Sequence, residues 1–205
     1  MTDGRPAPVE PLPGPGSLDI DELDVIAPGA FAAAVAPLFE GARGFLGRLA
    51  MARPFGTADG MFAAARSIAH EMPEDEQVEL IDAHPRLGAP PASVSALSFV
   101  EQGYVEAVLE TAAADAATTD AAEAEAERAR VAAELERLNA AYEARFGFRY
   151  CVFVAGRSRA ELLPDMVAAL GADRDDEIRR ALDAVVDIAS ARYATLTADG
   201  AEERD

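Results

Sequence analysis

PEDEQVELIDAHPRLG, residues 73–88, reads as one helix and its abrupt end. Pro73 suits a first turn, and Glu74, Asp75 and Glu76 complement the positive end of the helix dipole. A residue before proline avoids helical backbone, so the helix must stop at Ala83 or His84. Gly88 then permits a tight turn. One of only two histidines in the chain therefore stands on a stiff corner. The same grammar of cap, apolar run and stop recurs on both sides, which makes helix the organising element.

Upstream, Ser17 can cap a short first turn, with Asp19 and Asp21 near its N-terminus. GAFAAAVAPLFEGARGFLGRLAMARPF reads as two short helices, with Pro37 near their junction and Pro54 near the end. TADGMFAAARSIAHEM is a third, capped by Thr57 or Asp59. Downstream, a long helical region starts at Ser95 or Ser98. Residues 111–128 are rich in alanine and glutamate and suit an inserted loop or a solvated helix. Val131, Leu135, Leu138 and Tyr142 fall on one helix face, and Gly147 stops that helix. FRYCVFVAG is β-like but too short to argue for a sheet. Ser158 caps the next helix, closed by Gly171. The last carries an apolar row, Ile178, Leu182, Val185 and Ala189, extended by Arg192 and Tyr193.

The expectation is an all-α, single-domain bundle of about seven to nine helices with one extended segment near residues 148–155. A disordered Pro/Gly-rich tail at 1–17 precedes the domain at 18–197, and a flexible tail at 198–205 follows.

Composition narrows the function. Formal net charge is −19, and all 18 basic residues are arginine. Such acidity opposes phosphate backbones and anionic membranes, so neither nucleic acid nor membrane is expected as a partner. A single cysteine, Cys151, allows no internal disulfide and, with no apolar leader or targeting tripeptide in view, points to the cytoplasm. No HExxH, CxxC, GxSxG or phosphate-binding glycine loop occurs, so no metal site is expected.

Three features could carry chemistry. His84 projects from a rigid corner and titrates near neutrality, as proton transfer at pH 7 requires; a plain helix-end cap is the alternative. Ser98, Glu101 and Gln102 lie at i, i+3 and i+4, so they share a helix face. The same Ser-x-x-Glu spacing also makes a capping box. Arg192 sits on a buried stripe, where it needs an internal carboxylate or a bound anion unless it snorkels to water. His70 follows a helix and reads as surface, while Cys151 reads as a buried filler.

Taken in order, DAHPRLG, SFVEQ, LNAAYEARFGF with the extended run after it, and EIRRALDAVVDIASARY resemble the decarboxylases of 2-oxo-4-hydroxy-4-carboxy-5-ureidoimidazoline (OHCU), which yield allantoin in the last step of urate degradation. Upstream, LFEGARGFLGRLAMARPF is similar to the family's segment with an acid after Phe and a later Arg-Pro-Phe. The resemblance spans about residues 25–196. It implies an all-helical, cofactor-free lyase, often homodimeric, acting on a small anionic ureido-imidazoline. It assigns acid–base chemistry to His84, oriented and tuned by Glu101. Ser98 and Gln102 become substrate contacts, Arg192 an anchor for a substrate oxygen, and Pro85 part of the pocket wall. The extended run points to Cys151 and Val152 for backbone contacts. The sequence departs from the family in having Phe45 for a tryptophan, Ala169 for an arginine, GYVEAV after Gln102, and the 111–128 stretch. A non-catalytic acidic interaction domain, or a ureide enzyme of another reaction type, are the competing readings.

Overall fold

The computed structural model describes residues 18–90, 93–102 and 119–202. Nine α-helices and no strand occur among them. They are α1 (Ile20–Val25), α2 (Pro28–Val35), α3 (Arg43–Met51), α4 (Ala58–Glu71), α5 (Glu74–Ala83), α6 (Ala96–Glu101), α7 (Thr119–Phe146), α8 (Arg159–Ala169) and α9 (Arg174–Glu202). A 3-10 turn, Ala36–Phe39, follows α2 and contains Pro37. The all-α reading therefore stands.

Boundaries follow local chemistry. Asp19 caps α1 by accepting from the Asp21 amide at 2.8 Å; Ser17, the cap read from sequence, lies outside the described residues. Thr57 caps α4 and Ser95 faces the start of α6, where the Ser98 amide donates to its hydroxyl at 3.2 Å. Ser158 and Glu161 form a reciprocal capping box at α8. Helix α5 ends at Ala83, leaving His84 extended at φ −75°, ψ 140°. Gly88 takes φ +79° in the turn beyond, and Gly147 takes φ +80° after α7.

Helix α9 is the spine. It packs on α4, α5 and the 3-10 turn, while α3 packs on α2, α4 and α5, and α8 lies on α7. Leu182, Val185 and Ala189 are fully buried along its inner row, as the spacing predicted. The buried face of α7 starts at Leu135 and continues through Leu138 to Tyr142. Tyr142 stacks against Phe146, Phe148 and Tyr150 at ring distances of 4.6, 5.7 and 5.1 Å. This cluster pins the extended segment to the end of α7. Tyr142 also donates to the buried Glu177 at 2.6 Å, which Arg180 holds at 2.8 Å. Phe45, at the family's tryptophan position, is buried and packs on Phe39 at 4.8 Å.

One expectation needs correction, and two further stretches can be placed. His70 is not a surface residue after a helix; it lies inside α4, half-buried, with Nε2 2.9 Å from Asp183 on α9. Helix α9 continues to Glu202, past the point at 198 where a flexible tail was expected. Of the 111–128 stretch, residues 119–128 form the first turns of α7, and 122–128 are exposed; 111–118 and the GYVEAV run lie outside the described residues.

Candidate active site

The His-Pro corner, α6, α9 and the extended segment meet around a cavity of about 140 Å³. His84, Pro85, Ser98, Glu101, Gln102 and Arg192 line it, as do Cys151 and Val152. Residues separated by up to 108 positions are brought to one wall because α9 threads between α5 and the turn before α3. Apolar side chains from Leu87 and Ile188 complete the lining.

His84 is buried, at 4% exposure. Its Nδ1 lies 3.4 Å from the Leu80 carbonyl, which favours the tautomer with the proton on Nδ1. Nε2 is then a bare lone pair, and it is buried without a hydrogen-bond partner. Burial, reinforced by the Arg192 charge, pulls the imidazole from 6.5 down to about 4; the Glu40 charge and the Leu80 carbonyl oppose this. The ring is neutral at physiological pH. The corner itself is braced by Arg149, which donates to the Asp82 carbonyl at 2.7 Å and to the His84 carbonyl at 3.0 Å.

Arg192 is almost fully buried and flanked by two carboxylates. Its Nε and Nη2 donate to Glu101 at 2.7 and 2.8 Å, a bidentate pair. Nη2 also reaches Glu40 Oε1 at 2.8 Å and Ser98 Oγ at 2.9 Å. Nη1 donates to the Pro37 carbonyl at 2.9 Å and the Leu38 carbonyl at 3.3 Å. A guanidinium has five N–H donors, and each has a protein acceptor here. Arg192 therefore answers its burial with internal carboxylates. To anchor a substrate oxygen as expected, this guanidinium has to give up one of these protein acceptors, although it does line the cavity.

Two further cavity residues have protein partners of their own. Glu101 was expected to tune His84, but its carboxylate is engaged by Arg192, and the charges that act on the imidazole are those of Arg192 and Glu40. The imidazole is correspondingly depressed, not raised. Gln102 braces the histidine loop: its Oε1 accepts from the Gly88 amide at 2.8 Å and its Nε2 donates to the Arg86 carbonyl at 3.3 Å.

Glu40 is the residue that sequence reasoning left out. It follows the 3-10 turn with φ 51°, and its Oε1 accepts from Ser95 at 2.8 Å and Ser98 at 2.7 Å besides Arg192. Burial pushes its carboxyl up, but hydrogen bonds from Ser98 and Ser95 and the Arg192 charge outweigh this and hold it below the usual range. The acid after Phe39 was visible in the LFEG stretch; no spacing tied it to residues 152 positions away.

The far wall is backbone. Residues 149–154 are extended, and Arg180 holds the Cys151 carbonyl at 2.9 Å. Among the described residues, no acceptor meets the amide N–H groups of Cys151, Val152, Phe153 or Val154. The Cys151 thiol is buried and pushed up to about 12, so it stays a thiol. Among the described residues, no cluster of histidine, cysteine and carboxylates is arranged to hold a metal ion, and no helix is long and apolar enough to cross a membrane.

This geometry pairs a neutral base with a carboxylate, a fixed cation and unpaired amide donors around a space of small-molecule size. Solved structures share the fold. The chain is similar to an OHCU decarboxylase crystallised in the presence of (S)-allantoin, with a TM-score of 0.55 and 20% identity over 80% of this chain and 96% of that one. It is also similar to an (S)-allantoin synthase, with a TM-score of 0.55 and 19% identity over 87% of this chain and 54% of that one, so it spans about half of that second protein. Curated protein sequences give no match. A family model described as OHCU decarboxylase matches residues 25–194, the span that contains the whole cavity lining. The chain belongs to the OHCU decarboxylase family, whose members are carboxy-lyases of urate degradation.

Proposed function

We propose that this chain converts OHCU to (S)-allantoin and carbon dioxide, with His84 as the group that moves the proton. The observation that carries this reading is the buried, neutral imidazole whose Nε2 has no protein partner beside the cavity.

The substrate carries a hydroxyl and a carboxylate on one ring carbon, next to a carbon–nitrogen double bond. When the bond to the carboxylate breaks, its electron pair forms a double bond to the neighbouring ring carbon. The imine pair moves onto nitrogen, which takes up a proton from solvent. The substrate thus contains its own electron sink. What remains is an enol, and allantoin forms when the hydroxyl proton leaves and the neighbouring carbon gains a proton. Neutral His84 Nε2 suits the first transfer, and the resulting imidazolium, held in a site that disfavours its charge, is driven to give the proton up. Delivery from one wall of the cavity gives one enantiomer.

The other residues position the ring. Glu101, fixed by Arg192, offers carboxylate oxygen to ring and ureido N–H groups. The amide N–H groups from Cys151 to Val154 suit carbonyl oxygens of the substrate. The reacting carboxylate sits best toward Leu87 and Ile188, because its charge disperses as carbon dioxide forms and an apolar wall favours that change. Ser98 supports Glu40 and Arg192, and Pro85 keeps the corner rigid. A homodimer fits the family resemblance.

The test is to incubate the purified protein with freshly enzymatically generated substrate and follow carbon dioxide together with circular dichroism. Stoichiometric carbon dioxide with a growing (S)-allantoin signal is expected. Ring opening without carbon dioxide, the signature of a hydrolase, would refute the proposal.

A further inference from the structure

We propose that Glu40 is a positioning residue for the reaction: it shares Arg192 with Glu101, so that Glu101 keeps more of its charge for accepting hydrogen bonds from the substrate beside those from Arg192. This rests on the decarboxylase reading above. Three groups converge on one oxygen of Glu40, namely the hydroxyls of Ser95 and Ser98 and Nη2 of Arg192. Here the two hydroxyls, one on α6 and one just before it, aim the carboxylate at the edge of the guanidinium opposite the Pro37 and Leu38 carbonyls. The backbone of Glu40 is held left-handed at φ 51°, a conformation that disfavours non-glycine residues and so is retained at a cost.

The consequence is electrostatic. Arg192 carries one positive charge against two carboxylates. With Glu40 ionised, the Glu40–Arg192–Glu101 unit has net charge −1, and Glu101 is the carboxylate of the unit that lines the cavity. Without the Glu40 charge, Arg192 neutralises Glu101 alone, and Glu101 becomes a weaker acceptor. The same charge also bears on His84. Arg192 and Glu40 are the ionised groups that act on the imidazole, with opposite signs, and the Leu80 carbonyl from α5 is its one hydrogen-bond partner among the described residues. Removing the Glu40 charge leaves Arg192 unopposed, so protonation of His84 becomes harder.

Glu40→Gln tests this with little change of shape. The oxygen that accepts the three hydrogen bonds is retained, and only the charge is lost. The expected result is kcat reduced roughly 10-fold, less than the ~10²–10⁴-fold of a lost acid–base group because Glu40 acts through its neighbours, with KM changed less than about 3-fold. The acid limb of kcat moves to lower pH. A second measurement needs no activity. Only two histidines are present, so the imidazole resonances of His84 can be followed by NMR, and their midpoint should fall below the wild-type value of about 4. A Glu40→Gln protein with wild-type kcat and an unmoved His84 midpoint overturns the proposal. So does a loss of kcat that comes only with loss of fold, judged by thermal unfolding, while the His84 midpoint of the folded fraction is unmoved. A wild-type protein that forms no carbon dioxide overturns the decarboxylase reading itself, whereas a wild type that does so beside an unaffected Glu40→Gln overturns this inference alone.

Discussion

Burying a neutral histidine couples stability to acid. In the unfolded chain His84 takes up its proton near pH 6.5; in the folded protein it resists protonation until about pH 4. About one unit above pH 6.5 both states are neutral there, and His84 adds little pH dependence. As pH falls from 6.5, the unfolded state binds a proton that the folded state refuses, so stability is lost. The loss ends near pH 4, when the folded ring is protonated too. At about 1.4 kcal/mol per pH unit, the gap between 6.5 and 4 corresponds to on the order of 3 kcal/mol. His84→Gln removes this coupling, because glutamine is neutral throughout and its amide takes the place of the ring's Nε2 side. Urea unfolding of both proteins at pH 7.5, 6.5, 5.5 and 5.0 isolates the effect, since all other groups contribute to both curves. The difference in unfolding free energy between wild type and variant should level off near pH 7.5. It should then shift against the wild type by about 2 kcal/mol by pH 5. Parallel curves would refute the neutral imidazole and the proton chemistry built on it.

Arg192→Leu strands Glu40 and Glu101 beside each other and should cost about 3 kcal/mol in chemical denaturation, the low end for breaking a buried pair, because Glu101 keeps some access to water. Decarboxylation should fall to background in the same variant. Gly88→Ala places a Cβ 3.2 Å from Leu135 Cδ1 on a backbone with φ +79°, and should cost about 1–2 kcal/mol. Because Gly88 is tied to Gln102 in the loop that carries His84, kcat should drop as well.

Much of this fold is written locally. The His-Pro corner, the Ser158 cap, the Gly147 stop and the apolar row of α9 each follow from neighbours within a few residues, and each forms as read. Arg192 was conspicuous because a cation interrupts an apolar stripe. Its partners were not, because a charge on a buried face says that a counter-charge exists but not where. Glu40 lies 152 positions away, on a turn whose role depends on tertiary packing. The same limit explains Glu101: its spacing to Ser98 placed both on one face, yet only the packing of α9 decided that it meets a guanidinium and not an imidazole. His70 was misread because its partner Asp183 belongs to another helix. The direction of the His84 shift depended on burial by distant segments, which no local pattern reports.

The most direct measurement is the turnover of freshly generated OHCU by His84→Gln, followed by carbon dioxide release on protein whose folding has been verified at pH 7.5. If the imidazole carries the proton, kcat falls by about 10²–10⁴-fold. A variant that decarboxylates at the wild-type rate would contradict it.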